Sequence, residues 1–318
     1  MKHNLKITFI LLSMFIATQF IGLYVVDSYS STKVIDGNIM DVNSPNLPFG
    51  LETPELKKNT EFNYAFVSII FAFIIAISLL LLLSKFNIEF FIRIWFFSVI
   101  LIALGISFNI FLLGIFSSKI SWLIALIIAL PLGFIKIYKK NFLIHNFTEL
   151  LIYPGIAAVF VPMLNIYTII GLLILISIYD MWAVWQSGIM QKMAKYQINK
   201  LNIFSGFFVP YVSKKVRQKL KKMKKSELKK KKIRVNMAIL GGGDVVFPII
   251  ASGVVLKTFG FTTIWAFRIP LASILVIIGA TLGLSYLMFF AEKKKFYPAM
   301  PFITAGIFAG ILISYLIF

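Results

Sequence analysis

Two acidic residues stand where acid is expensive. Asp180, in "LISIYDMWAVW", and Asp244, in "ILGGGDVVFP", are the two of the chain's twelve Asp and Glu that fall deep inside apolar runs. Glu149 and Glu292 sit at the edges of such runs, and the remaining eight lie in loops. An unpaired carboxylate in mid-bilayer costs at least about 2.5–3.5 kcal/mol on insertion scales, so residues of this kind mark function. Two carboxyl groups at close range resist ionising together, and their shared titration splits into a low and a raised step. One of them can then act as base on a water while the other, protonated, polarises a carbonyl. The same pair can instead relay protons through a carrier, or a protonated Asp can simply bond two helices together. The carboxylates by themselves leave all three uses open.

The neighbours of Asp244 narrow the choice. Gly241, Gly242 and Gly243 each cost a helix about 0.8–1 kcal/mol relative to alanine, which softens the turn before the acid. Pro248 has no N–H, so the carbonyl four residues earlier, that of Asp244 itself, loses its helical partner. Small residues alone fit close helix packing. Packing does not account for the proline, and irregular backbone at membrane depth is tolerated against protein or a wet cavity. A site that hydrolyses a bond inside the membrane needs such a cavity.

The elements that must hold these residues are membrane spans. The 318-residue chain is 59% hydrophobic and 14% charged, with a mean hydropathy of +0.91. Soluble domains run at about 45–50% apolar, and runs of about 18 or more apolar residues are long enough to cross a bilayer. Reading these runs between charged breaks predicts an all-α polytopic membrane protein of about nine transmembrane helices, at 7–26, 63–84, 94–116, 120–137, 148–163, 166–185, 233–256, 264–290 and 299–318. The first run is longer than a signal-peptide core and lacks an A-x-A site, so it is read as a retained span. The sixth span puts Asp180 ~22 Å, and the seventh puts Asp244 ~18 Å, below one membrane surface at 1.5 Å per residue. Antiparallel neighbours can therefore bring the two to one level. The expected division is an N-terminal bundle over 1–165, with an external loop at 27–62, and a catalytic region over 166–318, with a basic cytoplasmic loop at 186–232.

Charge gives the orientation. Of the 32 Lys and Arg, sixteen lie between Lys192 and Arg234. With the N-terminus cytoplasmic and the C-terminus external, the inner segments carry 26 basic residues and the outer segments six, which satisfies the positive-inside bias. The net charge of +20 does not indicate nucleic acid, because the run Ser213–Arg234 lacks the interleaved aromatics of a single-strand binder. It reads as a cytoplasmic loop resting on anionic lipid head groups. The chain has no cysteine and two histidines, His3 and His145, neither in an H-E-x-x-H setting; His145 reads as a solvated or interfacial residue of an inner loop. No G-x-S-x-G is present for a serine nucleophile.

Three short motifs then carry a family likeness. "YD" at Tyr179–Asp180, "GGGD" at Gly241–Asp244 and "PAMP" at Pro298–Pro301 resemble, in order and on the expected spans, the Y-D, G-x-G-D and P-A-L signatures of the presenilin and signal peptide peptidase superfamily. Ala183, Val184 and Gly188 extend the likeness, which covers roughly Ile166 to Phe318. It implies an intramembrane aspartyl protease with Asp180 and Asp244 catalytic, Tyr179, Gly241–Gly243 and Pro248 shaping the site, and Pro298, Ala299, Met300 and Pro301 docking the substrate backbone. Met300 departs from the family's leucine but is apolar and of similar volume. The expected substrates are transmembrane proteins or signal peptides, entering laterally and unwinding to pair near Pro298–Pro301 and Ser213–Arg234, with no metal or organic cofactor. A proton-coupled transporter using the same two acids as a relay is the alternative.

Overall fold

The structure is a computed structural model and describes residues 5–42, 44–52, 54, 56, 58–86, 88–139, 141–188, 204–211, 236–264, 267–292 and 297–318. Among the described residues, nine helices are long and apolar enough to cross a membrane. In chain order they are α1 (Leu5–Ser28), α2 (Asn59–Lys85), α3 (Glu89–Leu113), α4 (Ser118–Tyr138), α5 (Phe142–Phe160), α6 (Ile166–Met181), α7 (Gly242–Phe259), α8 (Leu271–Phe290) and α9 (Met300–Ile317). One continuous apolar core runs through the bundle, from Leu11 and Phe15 of α1 through Leu172 of α6 and Ile249 of α7 to Ile307 of α9. Helix α2 stands at the margin with little of its surface covered, and reaches inward through Phe73, whose ring packs on Phe160 and Phe247.

Small residues set the closest approach. Gly279 and Gly283 of α8 face Gly306 and Gly310 of α9 so tightly that a Cβ on any of them would run into the opposite backbone. With almost no hydrophobic drive between helices in lipid, contact of this kind is what associates them.

The nine-span reading holds, with three corrections at span starts. Three antiparallel hairpins interrupt the helices: β1 (Thr32–Ile35) with β2 (Asn38–Asp41), β3 (Gly206–Tyr211) with β4 (Asn236–Gly241), and β5 (Thr262–Ile264) with β6 (Phe267–Ile269). The seventh span therefore begins at Gly242 rather than 233, because the apolar run before it pairs as a strand. The eighth begins at Leu271 rather than 264 for the same reason, with Pro270 directly before the helix. The fifth begins at Phe142, well before 148, because Asn141 caps it by accepting the amides of Leu143 and Ile144. His145 is thus a buried helix residue, contrary to its reading as a solvated or interfacial loop residue. Glu149 is likewise enclosed rather than at an edge.

The β1–β2 and β5–β6 hairpins lie at one end of the bundle and are joined there. Asp36 accepts from the amide and the hydroxyl of Thr263, at 2.8 and 2.7 Å, which holds its carboxyl below the usual carboxylate range. The β3–β4 hairpin lies at the opposite end, where α6 finishes and α7 and α9 begin.

Candidate active site

Asp180 is positioned by the two ends of its helix. Asn165 starts α6 with a reciprocal capping box to Thr168. Fifteen residues after Asn165, Asp180 occupies the last α-helical turn, followed at once by a five-residue π-helix, Trp182–Gln186. Single π turns inside helices recur at functional sites. The residue is 7% exposed, and its Oδ2 accepts from the Met300 amide at 3.0 Å, with the Ala299 amide also turned toward the carboxyl group. Those amides open α9, whose first N–H groups have no partner within the helix. An acid there is favoured by the positive end of the helix dipole. The PAMP stretch therefore orients Asp180, while Met300 itself is buried in the core. One turn further along, Ser177 donates to Thr304 at 2.9 Å and ties α6 to α9 again.

Asp244 is positioned by the hairpin. Gly241 pairs with Gly206 as the last rung of the β3–β4 ladder, and the ladder runs on into the helix as Gly242 N–H donates to Ser205 C=O at 3.3 Å. Asp244 follows in the first turn of α7, its carboxyl turned back onto the Gly241 amide. From there α7 runs fifteen residues to its far end, about 22 Å, against about 21 Å for Asp180 on α6 at 1.5 Å per residue. The two acids stand at one level, at the same end of the bundle.

The glycines do different jobs. A Cβ at Gly242 would stand 2.7 Å from the Tyr153 hydroxyl and 2.8 Å from Ser205 Oγ; one at Gly241 would stand 3.1 Å from Asp244 Oδ2. Gly243 is free of such crowding, with Phe247 at 3.7 Å. Pro248 lies buried inside α7, so the Asp244 carbonyl lacks its amide partner as the sequence predicts. At the adjacent peptide, Gln19 of α1 donates to the Val245 carbonyl at 3.1 Å. Tyr179 is 39% exposed and leans on Trp182, with ring centroids 6.2 Å apart. Pro298 is buried at the start of α9, and Pro301 fills its first turn, where an amide would have no partner.

Behind Asp244 lies a cluster that span reading missed. Lys136 of α4 pairs with Glu149 of α5 at 2.5 Å, with side chains 3% and 1% exposed, and His145 stands beside both. The available signal was two opposite charges at facing ends of consecutive spans. Among the described residues, no three His, Asp or Glu gather to hold a metal. A cavity of about 380 Å³, lined by Asp27, Lys33 and Lys257, lies at the β1–β2 end, across the bundle from the two acids.

A family model described as signal-peptide peptidase, presenilin aspartyl protease matches residues 44–318. Two solved structures, both of a presenilin family intramembrane aspartate protease, in the C222 and P2 space groups, share the fold. The first has a TM-score of 0.60 at 17% identity over 98% of this chain and 99% of the other. The second has 0.57 at 17% identity over 97% of each. A comparison with curated proteins gives no match.

Proposed function

We propose, from the premise that this chain belongs to the signal-peptide peptidase, presenilin aspartyl protease family, that Asp180 and Asp244 are the pair with which it cuts peptide bonds. The protein is an integral multi-pass membrane protein and an intramembrane aspartyl protease, a hydrolase acting on transmembrane substrates. Neither the family match nor the fold supports the transporter alternative. The observation that supports the assignment is that the two acids stand at one end of the bundle and at one level, Asp180 in the last turn of α6 and held by the Met300 amide, Asp244 in the first turn of α7.

In this reading one carboxylate takes a proton from a water held between the pair. The other, protonated, donates to the scissile carbonyl, and a tetrahedral diol forms. Its collapse returns a proton to the departing amide nitrogen. The substrate must first unwind, because a carbonyl inside a helix is not open to attack. Its freed strand needs an edge to pair with. The β3 edge is taken by α5, whereas β4 carries exposed Met237 and Ile239 on a sheet of two strands. Pro298–Pro301 would flank that strand, while Ser213–Arg234 lies outside the described residues. Purified in detergent without an ion gradient, the protein is expected to release peptides cut within a transmembrane segment at a rate that a metal chelator leaves unchanged. Absence of peptide products would refute the mechanism.

The orientation is proposed on the positive-inside count, with the N-terminus cytoplasmic, the C-terminus external and the acids toward the cytoplasm. It favours substrates whose N-terminus faces outside. Because the chain has no cysteine, a membrane-impermeant thiol reagent tests this cleanly. Ser31→Cys should react from outside and Phe86→Cys only after permeabilisation; the reverse pattern would invert the topology. The division at residue 165 is supported by all the proposed catalytic and docking residues falling after it. The basic loop's contact with anionic head groups is supported by its charge.

A further inference from the structure

Lys136, Glu149, His145 and Asn146 are polar groups the reaction does not use, three of them buried in the bundle. Their partners have one thing in common. Glu149 Oε1 accepts from the Gly206 amide at 3.3 Å, and His145 Nε2 meets the Gly206 carbonyl at 2.8 Å. Asn146 closes a two-bond ring on Phe208, accepting from its amide at 3.1 Å and donating to its carbonyl at 2.9 Å. Of the three β3 residues that turn their backbone away from β4, Gly206 and Phe208 are therefore gripped by α5 side chains at i, i+1 and i+4. The next residue on that edge, Pro210, has no amide to offer. One neutral tautomer of His145 satisfies all of this, with Nε2–H donating to Gly206 and Nδ1 accepting from Lys136 at 3.3 Å. His145 also packs against Phe208 at a tilt of 45°, ring centroids 4.6 Å apart.

The grip reaches the acid. Gly206 pairs with Gly241, Ser205 accepts from Gly242, and Asp244 follows two residues later. The Tyr153 hydroxyl, buried and without a well-formed hydrogen bond, presses on the same turn beside Glu149 and Ser205. We propose that Lys136, Glu149, His145 and Asn146 form a clamp of positioning residues that holds the outer edge of β3 and, through the hairpin, sets where Asp244 stands. The proposal rests on Asp244 being catalytic. Lys136 neutralises Glu149 and fixes His145, and the other three substitute for a third strand. The site is thus tuned from two helices that carry neither acid.

The test is steady-state cleavage of a transmembrane peptide by the full chain in detergent. Asn146 is only half-buried, so Asn146→Ala removes both bonds to Phe208 without leaving a buried charge. It should lower kcat about ten- to hundredfold, as a misplacement of ~1 Å can, with KM little changed. His145→Ala should do the same, and His145→Gln, which restores a donor toward Gly206, should recover part of the loss. Ser121→Ala is the control: it removes buried hydrogen bonds from α4 to Asn109 with no link to β3, and should lower the melting temperature while leaving kcat intact. Wild-type kcat in both Asn146→Ala and His145→Ala, with Asp244→Asn inactive, overturns the clamp and leaves the catalytic assignment standing. Cleavage by Asp244→Asn overturns the assignment, and the clamp with it.

Discussion

Asp244→Asn is expected to abolish turnover while leaving the protein folded. The amide has the volume of the carboxyl, and its oxygen still accepts from the Gly241 N–H, so the start of α7 keeps its geometry. It has lost the ability to take a proton from water or to hold one for a carbonyl. Loss of a positioned acid or base typically costs ~10²–10⁴-fold, and neither member of a shared pair can work alone. Asp180→Asn should behave alike, because its remaining carbonyl oxygen still suits the Met300 amide at the start of α9. Peptides released from a reconstituted transmembrane substrate, counted by mass spectrometry, provide the check. Turnover of either variant within tenfold of wild type would contradict the assignment.

The second large effect is on stability. Lys136→Met leaves Glu149, 1% exposed, as a buried charge without its cation. Breaking such a pair from one side costs about 3–5 kcal/mol, whereas replacing both partners by apolar groups of similar size is far less damaging. Lys136→Met combined with Glu149→Leu should therefore be more stable than Lys136→Met alone. It should still fall short of wild type, since the Gly206 amide then lacks its acceptor, which costs about 1–3 kcal/mol. Unfolding in detergent of both single variants and the double variant measures this. Additive losses would mean that the ion pair is not the reason these two charges tolerate burial.

What could be read from residues alone follows from how each signal is written. Asp180 and Asp244 were legible because an acid in an apolar run has few explanations, and Y-D, GGGD and PAMP recur in family order. Nine spans were legible from run length. The start of α7 was not. Asn236–Gly241 is an apolar segment joined to a helical one, and a short apolar run looks the same as strand or helix until its partner is known. Here the partner is Gly206–Tyr211, in a segment assigned to a loop. The strand pairing moves Asp244 from mid-span to the first turn of its helix, which brings its depth closer to that of Asp180. The Lys136–Glu149 pair was hidden by a different rule. A charge in an apolar sequence marks a span end, so two that cancel inside the bundle read as boundaries.

The PAMP stretch has a second role in the structure. Sequence assigned Pro298–Pro301 to the substrate, yet the amides of Ala299 and Met300 hold Asp180. The two uses are compatible if the bound strand lies along β4 and the start of α9 at once, with Asp180 already aimed at the carbonyl between them.

The most direct measurement is binding of a peptide carrying a hydroxyl isostere of the tetrahedral diol, with a photoreactive group to mark its site. The wild-type chain should bind it in competition with substrate and become labelled on α6, α7 or the start of α9. Asp180→Asn and Asp244→Asn should each lose that affinity. Equal binding by wild type and both variants, or labelling confined to the β1–β2 end of the bundle, would contradict the account.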